Sequence, residues 1–143
     1  MGGRVLAVDV GARRVGLAIS DATGTLARPL ETIAVASHAD AVDRVAKRID
    51  ELSREEDGLA AIVVGVPAAL DGTLTPESAR ASLFIASLAQ RTTLAIAAED
   101  ERLTSREAES RLALGERDWR ARKRKLDAAA AAIILQDYLD RRI

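Results

Sequence analysis

The chain has no cysteine among its 143 residues, a single histidine, and one each of tryptophan, tyrosine and phenylalanine. Without cysteine there are no disulfides and no thiolate metal sites, and a reducing compartment fits. The lone histidine, His38, stands just ahead of a helical pattern and reads as a surface turn residue rather than a general base. At 2% aromatic content the core must be aliphatic, with Phe84 and Tyr138 as parts of it. Long apolar runs are also lacking. The longest, Ala128 to Leu135, is far too short to span a bilayer. The N-terminus passes directly into a strand pattern, so no targeting or membrane segment is expected. Nor is there an excess of charge of either sign: the net charge is −1 and the pI about 5.9. That argues against a molecule basic over its whole surface, but it leaves room for a local basic patch around an acidic centre.

What is present is a 48% hydrophobic chain, long enough for one soluble globular domain over residues 1–143 with a core of its own. Its basic residues are mostly arginine, with lysine only at Lys47, Lys123 and Lys125. Arginine forks suit phosphates, although genome composition explains such a bias equally well.

The stretch from Val5 to Asp21 organises the rest. An apolar run ends on Asp9, Gly11 follows, a turn carries Arg13 and Arg14, and a second run from Val15 to Ile19 reads as an antiparallel partner. An aspartate at the end of a buried strand is costly unless it is paired, hydrogen-bonded or coordinating a cation. The neighbouring glycine, lacking a Cβ, lets backbone or ligand approach closely. Asp9 therefore reads as a residue that holds a cation or phosphate at the sheet edge, or else as a turn residue capping a hairpin.

Further along, Leu26–Val35 holds a third strand, which Pro29 marks as an edge or splits. Ser37 and Asp40 start a helix whose apolar positions Val42, Val45, Ala46, Ile49 and Leu52 recur at helical spacing up to a stop at Gly58. Ala60–Val66 is a continuous apolar strand of the parallel kind. Leu70-Asp71-Gly72-Thr73 is turn chemistry, and Thr75 with Pro76 opens a helix to about Arg91. Leu94–Ala98 is a short strand ending in Glu99-Asp100-Glu101-Arg102. Thr104-Ser105-Arg106-Glu107 is a capping box for a helix that Gly115 ends. A basic loop then leads to a last helix over about Leu126–Arg142. Three strands followed by alternating helix and strand predict an α/β domain: one mixed five-stranded sheet with helices on both faces.

In the last helix Asp127, Ala130, Ala131, Ile134 and Tyr138 share a stripe. Placed in the first turn, Asp127 is favoured by the helix dipole. Acids gathered at one point raise one another's pKa unless a divalent cation neutralises them. Oxygen ligands without cysteine or paired histidine select Mg2+ or Mn2+. Two such ions about 4 Å apart activate water and stabilise the leaving oxygen in phosphodiester hydrolysis.

Five segments in order complete a pattern: Val8-Asp9-Val10-Gly11 through Asp21, Val63-Val64-Gly65-Val66-Pro67, Asp71-Gly72-Thr73, Asp100-Glu101-Arg102-Leu103-Thr104, and Lys125-Leu126-Asp127 with Ala129-Ala130. Together they resemble the YqgF/RuvX family of Holliday-junction resolvases or pre-16S rRNA nucleases, within the RNase H-like superfamily. The resemblance covers nearly the whole chain. It implies an RNase H-like fold and metal-dependent cleavage of structured nucleic acid, with Asp9, Glu101 and Asp127 as catalytic metal ligands. Asp100 remains an alternate for Glu101, and Asp71 an outside candidate. The resemblance places Arg102 and Thr104 in support of the site or on a phosphate, and Arg13 and Arg14 near the substrate backbone. Ala12 stands where the family is often basic, and Ala68-Ala69 replace a polar pair after Pro67. The superfamily commonly takes its second acid from the end of the fourth strand, which here ends in Pro67.

The dense basic run Arg117–Lys125 contains the only tryptophan. It reads as an arm in which Trp119 stacks a base while Arg122, Lys123, Arg124 and Lys125 clamp phosphates, or as a solvated loop with Trp119 on the core. The expected protein is a cytoplasmic nuclease acting on branched DNA or precursor rRNA, with the small ribosomal subunit and a second copy of itself as further partners, and no membrane. The competing expectations are a non-catalytic nucleic-acid-binding ribosome-assembly module and a fragment of an actin-like or sugar-kinase ATPase. The last needs two such domains around its nucleotide.

Overall fold

A computed structural model describes residues 3–67, 73–100 and 119–141, the stretch 119–127 by its backbone alone. The first strand, β1 (Val5–Val10), pairs antiparallel with β2 (Arg14–Ser20), which pairs antiparallel with β3 (Ala27–Ala34). Helix α1 (His38–Ser53) leads to β4 (Ala61–Val66), α2 (Pro76–Ala89) to β5 (Ala95–Asp100), and α3 (Trp119–Arg141) closes the order. β4 lies parallel to β1 and β5 parallel to β4, so the mixed sheet runs β3-β2-β1-β4-β5 with β1 at its centre.

Strand alternation sorts the residues by face. Leu6, Val8 and Val10 of β1, with Val15, Leu17, Ile19, Ile62 and Val64, pack against α1 and α2 around the fully buried Phe84. The opposite face is built of smaller residues: Val5, Ala7, Ala18 and Val63 meet Ala131, Leu135 and Leu139 of α3. Alanine on both surfaces allows this helix to lie close to the sheet. Among the described residues Phe84 is the one fully buried aromatic, and Tyr138 packs half-buried against the α3-side cluster.

Local chemistry explains most of the boundaries. Pro29 sits on the edge strand β3, and a register shift opposite Leu17 and Ala18 leaves Leu30 outside the pairing, so the strand is both an edge and bulged. Ser37 caps α1 by accepting from the Asp40 amide at 3.1 Å. Thr75 and Ser78 form a reciprocal capping box on α2, and the Ser78 hydroxyl also donates to the Pro67 carbonyl. That contact ties the start of α2 to the end of β4. At the start of β3, the Gln136 amide of α3 accepts from Ala27 N and donates to Thr25 O, each at 2.9 Å, which pins α3 across the sheet.

Three boundaries differ from expectation. α1 stops at Ser53, not at Gly58. The buried Arg4 guanidinium donates to Leu52 O at 3.0 Å and to Gly58 O at 2.9 Å, and it pairs with Glu55 at 3.1 Å. The guanidinium takes the Leu52 carbonyl of the last turn and reaches on to Gly58, which at φ +56 closes the turn beyond the helix. β5 continues through Glu99 and Asp100 instead of ending at Ala98, because its ladder with Gly65 and Val66 carries on. α3 is described from Trp119, so the expected basic loop is helical from residue 119 on, and Asp127 lies well inside the helix. No glycine or proline interrupts residues 119–141, and arginine, lysine, leucine and alanine all favour a helix.

Candidate active site

The β1–β2 hairpin delivers Asp9 to one end of the central strand. Gly11 N donates to Arg14 O at 2.8 Å to close the turn, and a Cβ at Gly11 would stand 2.7 Å from that carbonyl. Only glycine fits so tight a return. The Arg13 carbonyl accepts from Val35 N at 2.9 Å, tying the turn to the end of β3. Arg13 is exposed at the tip. Arg14 is half-buried and shares the alternation of Gly16 and Ala18, which places it on the α3 side.

Asp9 is half-buried and follows Val5 and Ala7 in alternation, so it too lies on the α3 side. It pairs with Gly16, which pairs with Thr32. One step past the Val8–Val64 pair, the β1–β4 ladder sets Asp9 level with Gly65, and Gly65 pairs with Glu99. A single row therefore crosses all five strands as Thr32, Gly16, Asp9, Gly65 and Glu99. Both immediate neighbours of Asp9 in this row lack a side chain.

Glu99 is 6% exposed. Its Oε1 lies against the Arg141 guanidinium in the last turn of α3 as an ion pair. Burial pushes the Glu99 carboxyl above its ordinary pKa; Arg141 opposes the shift, while Asp137 and Asp100 reinforce it. Asp100 is exposed at the strand end and alternates to the opposite face, that of Ile96.

Of the residues expected at the site, the structure places Asp9 and Arg14 on one face at one end of the sheet, with Arg13 at the hairpin tip. Glu101, Arg102, Thr104 and the turn at 70–72 lie outside the described residues, as do the proposed helix from Thr104 to Gly115 and the side chains of Trp119, Arg122, Lys123, Arg124, Lys125 and Asp127. The backbone of these last six belongs to α3, which packs on the Asp9 face. Glu99 was not among the expected residues. The alternation Ala95, Ala97, Glu99 would have shown it sharing a face with the small residues.

Among the described residues no three histidine, cysteine, aspartate or glutamate side chains converge as a cation site. The donors on the Asp9 row are carboxylate oxygens, which fits a hard divalent cation and no softer metal.

This order of strands, with an antiparallel hairpin feeding a parallel pair and a carboxylate ending the central strand, defines an RNase H-like α/β domain. RuvC from T. thermophilus, solved in complex with a Holliday junction substrate, shares that fold: its TM-score is 0.56 at 17% identity, over 98% of this chain and 95% of that one. The family model for RuvX, Holliday junction resolvase, matches residues 3–141. The protein of Roseiflexus sp. (strain RS-1), called "Putative pre-16S rRNA nuclease", is 39% identical over 138 residues, covering 96% of this chain and 94% of its own length. A protein of the same name from Lactiplantibacillus plantarum is 39% identical over 142 residues, again 96% and 94%. Another, from Thermoanaerobacter pseudethanolicus, is 38% identical over 139 residues and 96% of each chain. The chain belongs to the RuvX family.

Proposed function

We propose that this protein is a divalent-metal-dependent endonuclease of the cytoplasm that hydrolyses phosphodiester bonds in structured nucleic acid, either a branched DNA junction or precursor 16S rRNA. The observation that carries the reading is Asp9 at the end of the central strand, between two glycines and on the face that α3 covers, in a chain that matches the RuvX family model over residues 3–141. Asp9, Glu101 and Asp127 are its metal ligands; Asp100, which alternates to the face opposite Asp9, is not one of them. Bound Mg2+ or Mn2+ supplies an activated water and a stabilised leaving oxygen.

The remaining residues bind and orient the strand. Arg13 and Arg14 hold phosphates from the hairpin, and Arg102 and Thr104 hold the scissile region. Trp119 stacks a base, and Arg122, Lys123, Arg124 and Lys125 grip the backbone. These residues lie within α3, which is described from Trp119 onward. Positive charge concentrated in this way is stabilised by a polyanion. Symmetric cutting of a four-way junction requires a dimer with two such sites, whereas trimming a precursor rRNA places the enzyme on the small ribosomal subunit.

The test offers a labelled four-way DNA junction and a structured precursor rRNA to the enzyme with Mn2+ or with EDTA. Metal-dependent cutting of either substrate supports the reading and identifies the substrate class. Binding of both with no cut under any condition overturns it in favour of an assembly module.

A further inference from the structure

Glu99 is a buried carboxylate that the nuclease reading leaves without a role. It stands level with Asp9 on the α3 side of the sheet, with only Gly65 between them. Two strand spacings, roughly 9.5 Å, separate the two backbones. Asp9 and Glu99 stand on the same face of the sheet, and the residue between them on β4 carries no side chain; a hard divalent cation takes carboxylate oxygens as its ligands. A cation already rests on the Oε1 atom of Glu99: the guanidinium of Arg141, a side chain two-thirds exposed at the end of α3.

The geometry points to Glu99 as a further ligand of the divalent cation, acting with Asp9 across Gly65, and to Arg141 as the resident counter-ion that the metal displaces. The inference rests on the nuclease reading for the presence of a cation at Asp9. It makes the site acidic on two strands of the described sheet, and it assigns metal-free and metal-bound enzyme different partners for Arg141.

The experiment is calorimetric titration of the full chain with Mn2+ alone, comparing wild type with Asp9→Asn, Glu99→Gln, Glu101→Gln and Arg141→Gln, each checked for folding by circular dichroism. Glu99→Gln is expected to weaken Mn2+ binding roughly tenfold or more. Arg141→Gln is expected to tighten it, because a competing cation has been removed. A merely structural ion pair gives a different result: Arg141→Gln lowers the melting temperature and leaves the Mn2+ affinity unchanged. If Glu99→Gln binds Mn2+ as wild type does while Asp9→Asn does not, the role of Glu99 is overturned and the nuclease site stands. If Asp9→Asn also binds as wild type, the nuclease site itself is misplaced.

Discussion

Replacing Gly11 by alanine tests whether the tight hairpin return is what delivers Asp9. The new Cβ would sit 2.7 Å from the Arg14 carbonyl oxygen, closer than the 3.0 Å that real Cβ atoms essentially never breach, and the obstacle is backbone. Relief requires the Gly11–Arg14 hydrogen bond of 2.8 Å to open, which costs about 1 kcal/mol. Overpacking adds about 1–3 kcal/mol, while the stiffer unfolded chain returns about 0.4–1 kcal/mol. The net is a destabilisation of about 2 kcal/mol. With a urea slope of about 2 kcal/mol per molar, the midpoint falls by about 1 M. Asp9 is two residues away and pairs with Gly16 across the same hairpin, so a sub-ångström displacement lowers cleavage on the order of tenfold.

Gly24→Ala is the control. Its φ of +69 makes alanine strained, yet the nearest atom to a Cβ there is Gly3 O at 3.6 Å, and the loop lies at the other end of the strands from Asp9. It should cost about 1–2 kcal/mol with cleavage per folded molecule unchanged. A Gly11→Ala protein that unfolds at the wild-type midpoint, or that is destabilised and still cuts at the wild-type rate, refutes the reasoning.

Three further outcomes follow from the same structure. Truncating the only phenylalanine, Phe84→Ala, should cost about 3–5 kcal/mol because the side chain is wholly buried among aliphatic neighbours; a urea midpoint close to wild type would contradict that core. Replacing Lys123 and Lys125 together by glutamine should lower the slope of log affinity against log salt by about 2 if both contact phosphates, measured by fluorescence anisotropy on a junction; an unchanged slope removes them from the interface. The Asp21 carboxyl accepts from the Thr23 hydroxyl and the Leu26 and Thr25 amides, which hold its pKa at about 2. A depressed carboxyl pKa stabilises the fold above the unfolded value of about 3.9. That contribution fades as pH falls toward 2, so the stability gap between wild type and Asp21→Ala should be widest near pH 6 and should narrow below pH 4. A gap independent of pH would rule out the ionised form as its source.

Elements whose signals are local were legible in the sequence. The Asp9–Gly11 hairpin, the proline on an edge strand, and the Ser37 and Thr75–Pro76 helix starts all stand where their side chains dictate. The boundaries that differed are set by distant partners. α1 ends where Arg4, just ahead of β1, takes the Leu52 carbonyl, and no inspection of residues 50–58 reveals that. β5 runs on through two acids because Gly65 and Val66 continue the ladder beside it. The same register makes Glu99 a neighbour of Asp9, a relation that depends on the strand order and is invisible along the chain. α3 is helical from Trp119 because residues 119–125, dense in charge as they are, contain no glycine or proline to break a helix.

The measurement that bears most directly on the central claim is cleavage against binding for Asp9→Asn and Asp127→Asn, on whichever substrate the wild type cuts in Mn2+. Both substitutions remove a negative charge from a proposed metal ligand and leave the basic surface intact. Cleavage should therefore fall by several orders of magnitude while substrate affinity stays within a few-fold of wild type. Wild-type cleavage by either variant would contradict the account.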